Sequence, residues 1–148
     1  MSSDMELVRE YIRNSSQSSK IYVGCDSRQT GRTTLYVTVV VVHHDGNKGA
    51  KVFPFYDRVP RINSTKYRLI QEAYYATYKA LELQDTIGDR YLSVHLDYHP
   101  EDKHRSNAVV KEAIGFVLGQ GLDYELKPHA HAASSAADYL GRHGVRFN

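Results

Sequence analysis

Two aspartates stand where chemistry is easiest to place. Asp26 and Asp97 each close a short apolar run, Ile21-Tyr22-Val23-Gly24-Cys25-Asp26 and Leu92-Ser93-Val94-His95-Leu96-Asp97, and runs of this kind predict strands. If the two strands lie side by side and parallel, both carboxylates emerge at one sheet edge, where open α/β sheets usually bind ligands. Two such acids can share a divalent cation. Strand alternation keeps this consistent: Tyr22, Gly24 and Asp26 share a face, as do Ser93, His95 and Asp97. A strand-terminal aspartate also serves simply as a turn former, so the joint placement of the pair carries more weight than either acid alone.

A rival constellation lies in His95-Leu96-Asp97-Tyr98-His99. In extended chain, residues 95, 97 and 99 project the same way and would offer imidazole and carboxylate ligands to a transition metal, and Pro100 favours extension at His99. One short segment rarely supplies a full coordination sphere, so the two-strand arrangement is preferred. Cys25 falls on the face opposite Asp26 and reads as a small core residue rather than a nucleophile. No Gly-x-Ser-x-Gly elbow is present, which argues against a serine hydrolase.

The elements that must position these acids follow from pattern. Residues 27–32 carry Gly31 and read as a hairpin turn into a β-branched run, Thr33 to His43, with the look of a central strand. Asp45-Gly46-Asn47 is a second turn, and Ala50 to Tyr56 a third strand in which Pro54 marks an edge or a bulge. These three strands form an antiparallel meander. From Ser64 to Leu83 the period becomes helical, with Leu69, Ala73, Ala76 and Ala80 beside Ile70, Tyr74, Thr77 and Leu81, and Asn63 or Ser64 as cap. The strand Tyr91 to Asp97 follows, then the polar loop Tyr98 to Arg105. A helix over about Asn107 to Gly119 turns Val110, Ala113, Ile114, Val117 and Leu118 inward. A short strand Leu122 to Lys127 ends at Pro128, and an alanine-rich helix runs from Ala130 to Arg142. Residues 1–19, with an amphipathic piece from Met5 to Ile12, read as a loosely packed lead-in to a domain spanning 20–148. The order is β-β-β-α-β-α-β-α, without internal repeats.

Bulk properties narrow the classes. A chain of 148 residues without a linker-like break fits one domain with one core. The formal charge of +2 permits a polyanionic partner without demanding one. A lone cysteine excludes an internal disulfide and a cysteine-based zinc framework, and fits a reducing compartment, with the cytoplasm as the expected location. The first twenty residues are polar, unlike a signal peptide, and no segment approaches the roughly 18 apolar residues of a membrane span. Twelve tyrosines, among them Tyr74, Tyr75 and Tyr78, could stack nucleobases, although core packing explains most of them.

A three-stranded meander whose first strand neighbours a parallel strand reached through a helix is the arrangement of the ribonuclease H-like fold, and the chain resembles that superfamily. More narrowly, Val23-Gly24-Cys25-Asp26-Ser27-Arg28-Gln29, Arg68-Leu69-Ile70-Gln71-Glu72, His95-Leu96-Asp97, and Lys127-Pro128 followed by Ala132-Ala133-Ser134-Ser135-Ala136-Ala137-Asp138 resemble the YkuK-type family of predicted RNase H-like proteins, from about Lys20 to His143. The resemblance implies an α/β fold with a mixed five-stranded sheet in order 3-2-1-4-5, three main helices, and an acidic metal cluster at the carboxyl edge. Asp26 would be its first-strand aspartate, Glu72 its first-helix glutamate and Asp97 its fourth-strand aspartate. A fourth ligand normally comes from the last helix, whose start here offers His129 and His131 and whose first acid is Asp138. His131, Ser134, Ser135 and Asp138 fall on one helical stripe. His131 and Asp138 are nevertheless about 10 Å apart along the axis at ~1.5 Å per residue, too far for one ion. Asp138 is favoured as the ligand, with His131 in proton transfer or phosphate contact.

These residues lead to the expectation of a metal-dependent nuclease cutting RNA, DNA or a hybrid through two Mg²⁺ or Mn²⁺ ions held by Asp26, Glu72, Asp97 and Asp138. Magnesium's preference for oxygen ligands and retained waters suits carboxylates drawn from separate elements. Lys66, Arg68, Lys103, His104 and Arg105 are candidate contacts to the nucleic-acid backbone. The alternative is a noncatalytic nucleic-acid-binding or assembly module on the same fold.

Overall fold

Long β-branched runs build the sheet from one side. In the computed structural model, which describes residues 4–44, 49–98 and 107–126, three eleven-residue strands form an antiparallel meander: β1 (Lys20–Thr30), β2 (Thr33–His43) and β3 (Ala50–Pro60). β1 pairs with β2 from Lys20 opposite His43 to Thr30 opposite Thr33, so only Gly31 and Arg32 make the turn. Gly31 adopts φ +61°, the left-handed region that such a tight turn requires and a side chain would disfavour. β1 therefore runs four residues past Asp26. The polar sequence Ser27-Arg28-Gln29-Thr30 reads as a turn by composition, but cross-strand pairing with residues 33–36 carries it as strand. β3 likewise extends to Pro60, four residues beyond the expected end, with Pro54 and Pro60 on the edge strand of the sheet.

Ser64 caps helix α2 (Thr65–Leu81), its hydroxyl accepting from the Tyr67 N–H. A one-turn helix, α3 (Gln84–Ile87), which the sequence pattern does not announce, leads to β4 (Tyr91–Leu96). Helix α4 (Asn107–Gly119) returns the chain to β5 (Asp123–Leu126). β4 pairs parallel to β1 and β5 parallel to β4, giving the order β3-β2-β1-β4-β5 in a mixed α/β sheet. This is the sheet order expected of a ribonuclease H-like fold. The alanine-rich helix expected over 130–142 lies outside the described residues.

The larger core forms between the sheet and the helices. Ile21, Val23, Cys25, Tyr36, Val40, Val94 and Leu96 meet Ile70, Ala73, Ala76 and Ala80 of α2 and Val109, Ala113 and Val117 of α4. On α4 the buried stripe is rotated from the expected one: Val109 is buried and Leu118 is 53% exposed. The other sheet face carries a smaller cluster, Leu35, Val37, Val39 and Val41 with Tyr22, Val52 and Tyr56.

The lead-in is not loose. Helix α1 (Asp4–Arg13) buries Met5, Val8 and Ile12 in the main core, as its three- and four-residue apolar spacing dictates. Arg90, just before β4, ties it there. Its guanidinium donates to the carbonyls of Arg13, Ser15, Ser16 and Ile87 and to the Ser15 hydroxyl. At 6% exposure, truncating this side chain leaves several buried carbonyls without donors. Arg90→Ala is expected to lose about 3 kcal/mol of stability. Urea unfolding checks this, and a loss below about 1 kcal/mol would count against the clamp.

Candidate active site at the end of the β1–β4 pairing

Parallel pairing between β1 and β4 ends at Gly24 opposite His95. Beyond it β1 continues with β2 alone, and β4 stops at Leu96. Asp26 and Asp97 flank this notch, both half-buried. Asp97 immediately follows β4, whereas Asp26 lies within β1 rather than closing it. The sequence expectation of a strand-ending acid thus holds for Asp97, whereas Asp26 lies past the end of the parallel pairing but inside its strand. Asp26 sits opposite Val37, on the face of the smaller apolar cluster.

Glu72 comes from the other side. It projects from the sheet-facing stripe of α2, two turns from the helix start, and is 6% exposed. The Ser27 hydroxyl donates to its Oε2 at 2.5 Å, and the Arg68 Nη1 donates to the Ser27 Oγ at 3.5 Å. Arg68 and Glu72 are four apart on α2 and Ser27 faces them from β1, so helix period and strand alternation together make this relay. Burial pushes the Glu72 carboxyl up to about 8; the Ser27 hydrogen bond opposes this, the negative charges of Asp26 and Asp97 reinforce it, and Arg68 again opposes it. Glu72 thus feels both aspartates across the notch.

Four hydrogen bonds set the frame around them. The Tyr98 hydroxyl donates to the Leu69 carbonyl, pinning the residue after Asp97 to the helix that carries Glu72. Gln29 donates from its side-chain nitrogen to the Ile62 carbonyl and accepts from Thr34, while the Ile62 N–H donates to the Thr34 hydroxyl. This fastens the entry of α2 to the β1–β2 hairpin. Ser27, Gln29 and Tyr98 are thus site-building residues that the sequence reading left without a role. For Ser27 a signal existed: it follows Asp26 on the opposite face, where a half-buried hydroxyl favours a polar partner.

His95 has a partner of its own. It is buried against Tyr22, with ring centroids 4.3 Å apart, and its Nε2 lies 3.5 Å from the Glu125 carboxylate. Glu125 also accepts from Ser93 and Tyr91. Burial lowers the affinity of His95 for a proton, and Glu125 partly offsets this. Of the His95-Asp97-His99 segment, His95 is thus paired with Glu125, and His99 lies outside the described residues. So do His129, His131 and Asp138, as well as Lys103, His104 and Arg105. Cys25 is buried in the main core with its thiol pushed well up, as expected of a structural residue.

Among the described residues, no three His, Cys, Asp or Glu side chains stand close enough to hold one ion as they are placed. The donor chemistry nonetheless fits a hard divalent cation. All three acids offer oxygen, and a buried glutamate beside two like charges is a site that added positive charge relieves.

Residues 4–142 match the sequence model of the family described as Ribonuclease H-like. The chain belongs to the ribonuclease H-like family. Its sheet order and mixed strand directions agree with that membership, which supports a nuclease-type function. Narrower placement in the YkuK-type group is a matter of sequence resemblance alone. No curated protein matches. Among solved structures the chain is similar to NurA with manganese, at 12% identity and a TM-score of 0.32, over 66% of this chain and 26% of that one. This ribonuclease H-like chain therefore spans about a quarter of the NurA chain. No described helix is long and apolar enough to cross a membrane.

Proposed function

We propose that this protein is a divalent-metal-dependent nuclease that hydrolyses phosphodiester bonds of RNA, DNA or a hybrid. The observation that carries the reading is the buried Glu72 of α2, held by the Ser27 hydroxyl beside the notch that Asp26 and Asp97 flank where β1 and β4 part. Asp26, Glu72 and Asp97 would hold Mg²⁺ or Mn²⁺, with Asp138 as the proposed fourth ligand and His131 in proton transfer or phosphate contact. Two such ions, when bound, activate a water and stabilise the leaving oxygen. The chain's own residues do the positioning. Ser27 fixes the Glu72 carboxylate, Arg68 steadies Ser27, and the Tyr98 contact with Leu69 holds the Asp97 segment against α2.

The second reading, a nucleic-acid-binding or assembly module without turnover, is favoured by the spacing of the acids, which do not converge within reach of one ion as they stand. One assay separates the two. Labelled single-stranded, duplex and hybrid oligonucleotides are incubated with purified protein in Mg²⁺ or Mn²⁺, with a chelator control. Cleavage abolished by the chelator is the expected result. Binding without cutting under every metal condition would favour the module.

A further inference from the structure

Beyond Asp26, the β1–β2 hairpin and the end of β3 overhang the shorter β4. At ~3.3 Å per residue, the stretch from Cys25 to Thr30 rises about 17 Å above the level at which β4 stops. The charge on this overhang is one-sided. Residues 27–34 and 57–68 contain six cations, Arg28, Arg32, Arg58, Arg61, Lys66 and Arg68, against one acid, Asp57, in a chain whose net charge is only +2.

Register sorts them by face. Arg28 and Arg58 both sit opposite Leu35 in β2, so they flank it in one row across the sheet, on the face that carries Asp26. Asp57 sits opposite Tyr36 and belongs to the other face. Arg58 lies over the hairpin end, donating from Nη1 to the hydroxyls of Thr30 and Thr33 at 2.9 Å each. Arg61 donates from Nη1 to the Gly31 carbonyl at 2.8 Å and from Nε to Asn63. These acceptors are neutral. Among the described residues neither Arg58 nor Arg61, nor Arg28, Arg32 or Lys66, forms an ion pair. The guanidiniums are thus oriented by hydrogen bonds while their charge stays uncompensated, and the β3 edge is already blunted against strand pairing by Pro54 and Pro60.

We infer that this overhang is a backbone-tracking surface: Arg28, Arg32, Arg58 and Arg61 receive the phosphates of a nucleic acid and lead the strand onto Asp26, about 7 Å along β1 from Arg28. The inference rests on the nucleic-acid reading above and gives it a direction of approach. Such contacts carry no sequence information and reveal themselves through salt. Each phosphate contact with duplex DNA contributes about 0.9 to the slope of log affinity against log salt concentration.

The test measures fluorescence-anisotropy binding of a labelled duplex in chelator, across a salt series, for wild type, Arg28→Ala/Arg32→Ala, Arg58→Ala/Arg61→Ala, and the charge-keeping Arg58→Lys/Arg61→Lys. Each alanine pair is expected to weaken binding at least tenfold at low salt and to flatten the slope by about 2, while the lysine pair keeps the slope. Lys51→Ala, at the opposite end of β3, is expected to leave both unchanged. Thermal melting shows whether the hairpin end survives. If it does not in the Arg58/Arg61 alanine pair, the Arg28/Arg32 and lysine pairs still decide. An unchanged slope in the Arg28/Arg32 pair would overturn the inference. So would poly-glutamate competing as well as unlabelled duplex, which would assign the patch to acidic protein instead. The two proposals fail separately: cleavage with an unaltered slope leaves the nuclease and removes the tracking surface, whereas patch-dependent binding without cleavage does the reverse.

Discussion

Asp26→Asn is expected to lower metal-dependent cleavage by about two to three orders of magnitude, and Asp97→Asn by a similar factor. Asparagine keeps the size of the side chain and one oxygen acceptor, so packing beside Val37 is preserved. What disappears is the anionic charge, which both a hard cation and the electrostatics of phosphoryl displacement require. The substitution has a second, opposite signature. Removing a charge that raises the Glu72 pKa makes Glu72 easier to ionise, so in melts at pH 5 and pH 8 each variant should lose less stability across that interval than wild type does. Single-turnover cleavage together with thermal melting checks both halves. A variant that cuts as fast as wild type removes its aspartate from the site. One that loses activity only because it melts early makes the aspartate a structural residue.

Glu72 gives the second large effect, on stability against pH. Its carboxyl is raised from 4.5 to about 8 in the folded chain. Between those values the native state holds a proton that the unfolded state has released. Stability therefore falls as pH rises through that window, by about 1.4 kcal/mol per unit, and levels off above it. The full span is on the order of 5 kcal/mol, a large share of a small domain's stability. Glu72→Gln keeps an acceptor for the Ser27 hydroxyl and removes the titration, so its stability curve should be flatter between pH 5 and 8 and should lie above wild type on the alkaline side. Added Mn²⁺ should restore wild type at pH 8 and leave the glutamine variant largely unaffected. Denaturant unfolding across pH, with and without the ion, reads this directly. Parallel curves for the two proteins would mean that Glu72 is ionised without penalty.

The order of elements along the chain was legible because β-branched runs, the Ser64 cap and the alanine stripe of α2 each carry their own local signal, whereas the order of strands in the sheet rested on the family resemblance. Boundaries failed where tertiary pairing outweighed composition. Ser27 to Thr30 is polar enough to read as a turn, yet β2 supplies a partner for every residue of it. Helix α1 was underestimated for a related reason: its apolar stripe is short, and only Arg90, some seventy residues away, shows that the helix is fastened down. Asp26 and Asp97 were readable from their positions at the ends of apolar runs. Glu72 was not, since a glutamate on a helix reads as solvated until the sheet beneath it is known, and it entered through family resemblance alone. Arg28, Arg32, Arg58 and Arg61 are not legible as a group because they are scattered over two strands, the hairpin turn and the segment after β3, and only the register and the Arg61–Gly31 hydrogen bond gather them.

The parallel pairing of β1 with β4 joins Lys20 to Tyr91 across the whole meander and α2, whereas β1 meets β2 across a two-residue turn. Asp26 is thus delivered by the most local contact in the sheet and Asp97 by one of the most distant. No shortened form of this chain that ends before Tyr91 can carry the site, however well its hairpins form. Asp26 and Asp97 flank one notch only in the fully assembled sheet, so a half-built state cannot present the candidate site.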